Sequence, residues 1–221
     1  MTFDFGGTLV QGDLDKEAFG ERLFNYIRSL GVSVSEKRLR SASISILEKL
    51  KKIRSSNKEI PLEDLYGIML RKLGIPSEES LLYHIHELYI DSFKIELVEG
   101  VENTLKRLMK KYRLAVISNA SSNIVKYAIK KFDLQKYFDV VTVSRDIGIR
   151  KPDPRIFEYT LNKLNVTPYE AVHVGDSIES DIIGAKKIGM FAIWINREGL
   201  EDPSLSDYTI KSITDLLAIL L

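Results

Sequence analysis

Residues 113–119 read RLAVISN, a short apolar run followed at once by a hydroxyl and an amide side chain. Such a run predicts a short strand over 113–117, and from residue 97 onward runs of this kind alternate with amphipathic helices. We expect the other strands at 139–143, 171–174, 191–195 and 208–210, the helices at 100–112, 121–132, 154–164, 179–188 and about 212–220, and a surface loop at 197–207. This alternation predicts an α/β fold with a doubly wound parallel sheet that is covered by helices on both faces.

The residues before this alternation divide into an opening strand and a helical segment. The chain starts with MTFDFGGTLV (1–10), where Asp4 follows only three residues, so either this strand is very short or the true start lies upstream. Residues 15–93 contain four amphipathic segments, separated by Gly, Pro, Ser and Asn. We therefore predict a core formed by 1–12 and 96–221, with a helical lobe over 13–95.

Composition and charge exclude several classes of function. The 221 residues carry a formal net charge of +1, and 44% are hydrophobic, which gives no field that would attract nucleic acid. The absence of cysteine excludes disulfides, thiolate metal sites and cysteine nucleophiles. No apolar run approaches the ~20 residues that span a bilayer. These features predict a cytoplasmic protein that binds neither nucleic acid nor membrane, and they leave its oligomeric state open.

Polar side chains follow the apolar runs at the end of the sheet where parallel strands bind ligands. They are Asp4 after the first strand, Ser118 and Asn119 after the second, Lys151 after the third, and Asp176 with Asp181 after the fourth. Carboxylates that share one edge repel each other unless a cation lies between them, and oxygen ligands of this kind suit Mg²⁺. Ser118 can hold phosphate oxygens, and Lys151 can neutralise charge in a transition state. The pattern predicts a magnesium-dependent phosphoryl-transfer site.

Four short motifs carry a resemblance to a known family. They read DFGGTL (4–9), VISNAS (116–121), KPDPRIF (151–157) and VGDSIESD (174–181). In this order they resemble the four motifs of the haloacid dehalogenase-like (HAD) hydrolase superfamily, of the phosphatase type with a helical cap inserted after the first motif. The resemblance spans nearly the whole chain, and it implies a Rossmann-like core, hydrolase activity and a small phosphorylated substrate.

The resemblance also implies a role for each motif residue. Asp4 would be the nucleophile that forms an aspartyl-phosphate, and Asp4, Asp176 and the backbone carbonyl of Gly6 would hold Mg²⁺. Asp181 would lie just outside these ligands or serve as an auxiliary ligand. The phosphate-binding side chains would be Thr8, Ser118, Asn119 and Lys151.

Gly6 departs from the pattern of the family's phosphatases, which usually carry a second aspartate at this position to protonate the leaving group and later activate water. The carbonyl ligand survives, since it needs no side chain, but the acid/base group does not. Loss of such a group costs on the order of 10²–10⁴ in rate. We therefore expect slow turnover of alkyl phosphates and a smaller defect for esters with good leaving groups.

Gly6 leaves three other functions open. A metal-independent 2-haloacid dehalogenase uses the same aspartate as nucleophile and typically lacks an acid two residues further on, although VGDS (174–177) argues against it because dehalogenases resemble SSN there. A phosphonate-cleaving relative has a small residue in the place of Gly6 and a cap lysine that forms a Schiff base, and no lysine spacing here singles one out. The third alternative is a phosphate- or partner-binding protein that has lost turnover.

The remaining polar residues of interest have structural interpretations. The three histidines are interpreted as structural, because two lie two positions apart on a predicted helix and the third lies inside a strand. Two aspartates are expected to cap the first helix of the lobe, and four lysines to lie on the solvent side of a helix. These residues are His84, His86 and His173, Asp13 and Asp15, and Lys49, Lys51, Lys52 and Lys58.

Overall fold

Six parallel strands form one sheet, with the N-terminal strand near its centre. The structure is a computed structural model that describes residues 1–197, 199 and 205–221; of the predicted loop at 197–207, residues 198 and 200–204 lie outside the described residues. The strands are β1 Thr2–Phe3, β2 Val10–Leu14, β3 Phe93–Leu97, β4 Ala115–Ser118, β5 Val140–Val143, β6 Val172–Gly175, β7 Phe191–Ile195 and β8 Tyr208–Ile210. The order across the sheet is β5-β4-β1-β6-β7-β8, and every neighbouring pair is parallel. The predicted α/β fold is confirmed.

Helices cover both faces of this sheet. They are α1 Lys16–Ser29, α2 Glu36–Arg54, α3 Leu62–Leu73, α4 Glu79–Ile90, α5 Val101–Leu108, α6 Ile124–Lys131, α7 Ser144–Ile147, α8 Pro154–Leu164, α9 Ile183–Lys186 and α10 Leu216–Leu220. Buried residues of α5, α6 and α10 pack on one face, and those of α8 and α9 pack on the other. Within β4, Val116 belongs to the first layer and Ile117 to the second, as alternate side chains of a strand must. Since both faces are buried, this strand is apolar up to Ser118 at its end.

The predicted boundaries are accurate where local signals are strong. β7, β8 and α8 have the predicted bounds. The Asp153 side chain accepts a hydrogen bond from the backbone N–H of Arg155, and Pro154 occupies the first turn of α8, where its missing N–H is not needed. Cap and proline together specify where this helix begins.

The helices α1 to α4 form a lobe with a hydrophobic cluster of its own. Met69 and Ile85 lie in this cluster and are fully buried, and the cluster shares no residue with the two layers around the sheet. Asp15 caps α1 as expected, whereas Asp13 lies within β2. No helix of the described residues combines the length and apolar character that a membrane span needs. The lobe packs as a unit, and its exact division from the core at 13–95 stays a prediction.

An antiparallel ribbon joins the lobe to the core, and the sequence pattern does not reveal it. β2 pairs with β3 from Val10 opposite Leu97 to Leu14 opposite Phe93. The prediction of helix up to residue 93 is therefore wrong, because α4 ends at Ile90 and a strand follows. Facing residues in this ribbon are far apart in sequence, with 85 positions between Gln11 and Glu96, so no local pattern indicates the pairing.

The helices that follow the site residues also differ from their predicted bounds. α6 begins at Ile124 instead of 121, because the preceding loop is held by the lobe, where the backbone N–H of Asn123 donates to His86. The helix predicted at 179–188 is a π-helical turn over Ile178–Ile182 followed by the short α9. The closing helix starts with a 3₁₀ turn capped by Ser212, so that α10 begins only at residue 216.

The π-helical turn after β6 places Asp181 inside the protein. The backbone N–H of Ser177 donates to the Asp181 carboxylate at 3.0 Å, and only 1% of Asp181 is exposed. π-helical turns are uncommon and often lie at functional sites. Gly175, at the end of β6, makes room for this side chain, because an added Cβ would lie 2.4 Å from Asp181 Cγ.

We expect Gly175→Ala to lower the free energy of unfolding by about 1–3 kcal/mol, because the new methyl group overlaps the Asp181 side chain. The same substitution at Gly20, in α1, meets nothing within 4 Å and should stabilise the protein by about 0.5–1 kcal/mol through helix propensity. Urea unfolding of both variants measures the difference. Equal stability of the two would contradict the tight seating of Asp181.

Candidate active site

The predicted site residues converge at the carboxyl end of the sheet. β1 lies between β4 and β6, so Asp4, Ser118 and Asp176 stand at the ends of three adjacent strands. All three line one cavity of about 370 Å³, and Lys151 and Asp181 line the same cavity. This is the position where open parallel sheets bind ligands, because the strand connections diverge there.

Lys151 is the centre of a buried ion network. Its Nζ atom donates to Asp4 Oδ1 at 2.5 Å and to the backbone carbonyl of Ile117 at 2.7 Å, and it lies 2.6 Å from Asp181 Oδ1. An ammonium group has three protons, so these three oxygens engage all of them. The side chains of Lys151 and Asp181 are each 1% exposed and that of Asp4 is 11% exposed. Charges at this depth are tolerated only when they are paired.

The network sets the protonation of its members. Burial raises the pKa of Asp4 to about 7, although the positive charge of Lys151 opposes the rise. Burial would also raise the pKa of Asp181, but Lys151 and His173 outweigh it and hold that pKa below its usual range. For Lys151, burial acts to lower the pKa, whereas Asp181 and Asp4 raise it by more. Lys151 and Asp181 are therefore an ion pair at neutral pH, and a cation beside Asp4 would favour its ionised form.

His173 supports Asp181 from within β6. His173 Nε2 lies 3.4 Å from Asp181 Oδ1, and Nδ1 lies 2.8 Å from the hydroxyl of Thr2. Burial lowers the pKa of His173, so the ring is neutral at neutral pH. With Asp181 ionised, Nε2 carries the ring proton and Nδ1 accepts from Thr2. The structural interpretation of this histidine fits these contacts, because it orients an anion without adding charge.

Asp176 approaches the glycine turn that follows β1. A Cβ at Gly7 would lie 2.2 Å from Asp176 Oδ2, and the φ of Gly7 is +81°, so only glycine fits here. Thr8 Oγ1 lies 3.5 Å from Asp176 Oδ1. Burial raises the pKa of Asp176, and Asp181 raises it further. Thr8 thus contacts a carboxylate, and its binding of phosphate stays a prediction.

The carboxylates of the site can hold a divalent cation. One oxygen from each of Asp4, Asp176 and Asp181 lies within 4.8 Å of the others, and hard oxygen donors of this kind suit Mg²⁺. Asp181 is already engaged by Lys151 and by the Ser177 backbone. The residues present therefore fit magnesium, with Asp4 and Asp176 as the available side-chain ligands.

Asn119 fixes the backbone of Lys151. Its Oδ1 accepts from the Lys151 N–H at 2.8 Å, and its Nδ2 donates to the Lys151 carbonyl at 3.0 Å. Both polar atoms of this side chain are engaged, so the structure uses Asn119 to position the lysine. Ser118 is buried and lines the cavity. Direct contact of either side chain with phosphate stays a prediction.

Gly6 leaves open space at the edge of the cavity. Apart from its two chain neighbours, no described residue has an atom within 4 Å of the position that its Cβ would occupy, and its φ is outside the left-handed region. The Cβ of a larger residue at this position would therefore meet neither a clash nor backbone strain. The site lacks an acid here because glycine has no side chain, and not because the backbone conformation excludes one.

A second cavity, of about 530 Å³, contains residues that the sequence pattern does not single out. Arg150 lies directly before the motif lysine, and its Nη1 is 3.6 Å from Glu59 Oε2 in the lobe. Only the fold brings these two residues together, so no spacing in the sequence reveals them. Lys51, interpreted from sequence as solvent-facing, lines this cavity, and Lys58 lies beyond the end of its helix.

Two solved structures share the fold over nearly the whole chain. A 2-haloacid dehalogenase from Pseudomonas syringae pv. tomato DC3000 has a TM-score of 0.76 and 26% identity, covering 99% of this chain and 96% of its own. A HAD phosphatase from Thermococcus onnurineus has a TM-score of 0.66 and 28% identity, with the same coverage. The two names denote different reactions on one architecture, so the fold alone does not decide the reaction.

Sequence comparison identifies the family. The glyceraldehyde 3-phosphate phosphatase of Pyrococcus furiosus is 36% identical over 129 residues, which are 56% of this chain and 54% of that protein, so the match spans about half the length of this relative. The family model of haloacid dehalogenase-like hydrolases matches residues 1–195. The chain therefore belongs to the haloacid dehalogenase-like hydrolase family.

Proposed function

We propose that this hydrolase is a magnesium-dependent phosphatase that acts on a small phosphate ester through an aspartyl-phosphate on Asp4. The observation that carries the proposal is one buried carboxylate, Asp4, at the end of the central strand, paired with Lys151 and close to the carboxylate of Asp176. Two carboxylates beside one lysine form a pocket for a cation and an anion together. The similarity to a glyceraldehyde 3-phosphate phosphatase supports the same class of reaction.

The first chemical step uses Asp4 and Lys151. A carboxylate oxygen of Asp4 attacks phosphorus, the bond to the leaving oxygen breaks, and the electron pair stays with that oxygen. Asp4 loses its negative charge when it becomes an acyl phosphate. Lys151 can then turn its hydrogen bond from Asp4 to a phosphoryl oxygen, so that the ammonium charge follows the negative charge that is transferred.

The other site residues hold the reacting groups in place. Mg²⁺, when bound by Asp4, Asp176 and the carbonyl of Gly6, would neutralise charge on the phosphoryl oxygens. Asp181 stays ionised and holds Lys151 in position from behind. Thr8, Ser118 and the backbone near Asn119 are proposed to contact the phosphoryl group.

The second chemical step frees Asp4 again. A water molecule attacks phosphorus, the acyl phosphate bond breaks, and the carboxylate and inorganic phosphate are released. Gly6 provides no acid for the leaving oxygen in the first step and no base for this water in the second. An aryl leaving group needs little protonation, so with aryl esters only the second step is slowed.

A metal-independent 2-haloacid dehalogenase is the second candidate, because a structure with a TM-score of 0.76 carries that name. Asp4 would then attack carbon and displace halide. Asp176 argues against it, because Asp4 and Asp181 already share Lys151, so that without a metal a third carboxylate would lie beside the nucleophile with no cation of its own. Halide release from 2-chloropropionate in excess EDTA would favour this candidate over the phosphatase.

The helical lobe is proposed as the cap that selects the substrate, with 1–12 and 96–221 as core and 13–95 as cap. Helix α2 of the lobe lines the second cavity beside Lys151. In the part of the chain that the structure describes, the lining of the cavity around Asp4 includes no lysine other than Lys151, so no lysine of the cap lines the same cavity as the nucleophile. A cytoplasmic location stays a prediction.

Asp4→Asn should reduce phosphate release from p-nitrophenyl phosphate by about 10³-fold or more, because an amide cannot form an acyl phosphate. Excess EDTA should abolish the wild-type activity, and added Mg²⁺ should restore it. Asp91→Asn, a substitution of an exposed aspartate outside the cavity, is the control and should leave turnover unchanged. Comparable rates for Asp4→Asn and wild type would show that Asp4 is not the nucleophile. A wild-type protein without activity would favour the alternative of a phosphate- or partner-binding protein that has lost turnover.

Gly6→Asp should increase kcat/KM for alkyl phosphates such as glyceraldehyde 3-phosphate by roughly 10²-fold and that for aryl phosphates by much less, because kcat/KM reports the first step, in which the new carboxyl group protonates the leaving oxygen. A Cβ at this position meets no neighbouring atom, and the backbone of Gly6 is outside the left-handed region. Gly6→Asn is the matched control, since it has the same shape and no acid. Equal effects of the two substitutions on both ester classes would contradict the claim that Gly6 marks a missing acid.

A further inference from the structure

The second cavity extends the space around Asp4 toward the lobe. The two cavities share lining residues, so a molecule whose phosphoryl group contacts Asp4 can place its remaining atoms in the second cavity. The shared residues are Asn119, Arg150, Lys151, Ser177 and Ser180. On its outer side the second cavity is bounded by α2, which contributes apolar surface from Leu47 and Leu50 and cations from Lys51 and Arg54.

Arg150 is the least satisfied polar residue of this cavity. Its Nη1 atom is buried and has no hydrogen-bond partner among the described residues. The carboxylate that it approaches, Glu59, already accepts two hydrogen bonds from Arg54, at 3.2 and 3.1 Å, and one from the hydroxyl of Ser144 at 3.3 Å. Two guanidinium groups thus share one buried carboxylate, which leaves a positive charge uncompensated and a donor free.

The position of Arg150 is fixed by the chain around it. Its backbone N–H donates to the carbonyl of Asn57 at 3.0 Å, and the N–H of Glu59 donates to the carbonyl of Gly148 at 2.9 Å. Burial and the charge of Arg54 lower the pKa of Arg150, in keeping with an incompletely compensated cation. A guanidinium held by its backbone beside Lys151 is preorganised for a ligand.

The other charges of the cavity also leave an excess of positive charge. Lys151 is neutralised by Asp4 and Asp181 behind it, and Arg54 is neutralised by Glu59. Lys51 and Arg150 remain, and Glu179 is the single carboxylate among the described residues of the lining. An anion in this cavity would gain from both cations.

We propose that the second cavity binds a second anionic group of the substrate, a carboxylate or a further phosphate, through Arg150 and Lys51. This inference rests on the proposed function, because Asp4 marks where the transferred phosphoryl group lies. The second anion pairs with the guanidinium of Arg150 and the ammonium of Lys51, and the carbon chain between the two anions lies against Leu47 and Leu50. The preferred substrates are thus phosphorylated acids or bisphosphates, rather than phosphate esters with a neutral tail.

Three phosphonates that cannot be hydrolysed test this proposal by calorimetry on the full-length protein with Mg²⁺. Butylphosphonate has a neutral tail, 4-phosphonobutyrate has a carboxylate at its end, and propane-1,3-bisphosphonate has a second phosphonate. We expect at least one of the doubly anionic compounds to bind about 10-fold more tightly than butylphosphonate, because a charge-assisted hydrogen bond forms. The compound that gains affinity identifies the second anion as carboxylate or phosphate, and equal affinities for all three would overturn the proposal.

Three variants assign the effect to the cavity. Arg150→Gln and Lys51→Gln should each reduce the advantage of the doubly anionic ligand to about 3-fold or less, without weakening butylphosphonate. Lys52→Gln is the matched control, because this exposed lysine is next to Lys51 on α2 and does not line the cavity. An equal loss in Lys52→Gln, or an unchanged advantage in the other two variants, would overturn the proposal.

Turnover of p-nitrophenyl phosphate separates this inference from the proposed function. Turnover together with equal phosphonate affinities would overturn the anion site alone and leave the phosphatase standing. Selective binding of a doubly anionic phosphonate without any turnover would overturn the phosphatase alone and support the anion site in a binding protein.

Discussion

The site depends on one buried ammonium group, Lys151, that two carboxylates share. Removing one partner of a buried ion pair costs about 3–5 kcal/mol, because the remaining charge has lost its water and gained nothing in return. The surrounding chain is therefore arranged to keep the three charges together. Asn119 hydrogen-bonds to both the backbone N–H and the carbonyl of Lys151, and the Ile117 carbonyl accepts a hydrogen bond from the Lys151 ammonium. Gly175 leaves the space that Asp181 fills. Gly175 and the π-helical turn that contains Asp181 both serve this requirement.

The same burial prepares Asp4 for chemistry. A carboxylate with a pKa of about 7 is a stronger base than an exposed one, and its pairing with Lys151 keeps it aimed at the cavity. Asp181 remains ionised under all conditions near neutrality, so Lys151 keeps one fixed partner when Asp4 reacts. The lobe completes this arrangement from outside, because His86 holds the loop after β4 and Glu59 holds Arg150 beside Lys151. The lobe thus contacts Arg150, and the next residue, Lys151, forms the ion pairs with Asp4 and Asp181.

The sheet and most residues of the site could be predicted from the sequence. The features that could not be predicted depend on contacts between residues that are distant in sequence. The alternation of apolar runs with amphipathic helices predicts the parallel sheet, and the polar residues after each run predict which side chains meet. The ribbon of β2 and β3 is not predicted because its two strands are far apart in sequence. Helix α9 is shorter than predicted because Asp181 turns inward to reach Lys151. Asn119 looks like a phosphate ligand in its motif, whereas its contacts are to backbone. Arg150 and Glu59 meet only through the tertiary fold, so no spacing marks them.

In the proposed reaction, Asp4 forms a covalent phosphoryl intermediate in a site without an acid/base at Gly6. If so, p-nitrophenyl phosphate should phosphorylate Asp4 readily, and the acyl phosphate should persist because nothing activates the water that hydrolyses it. The most direct measurement is rapid-mixing kinetics with Mg²⁺, combined with acid quenching and mass spectrometry of the N-terminal peptide. We expect a burst of nitrophenolate close to one equivalent per protein molecule, with a phosphoryl group on Asp4 during the slow phase that follows. Linear release of nitrophenolate from the start, with an unmodified N-terminal peptide, would contradict it.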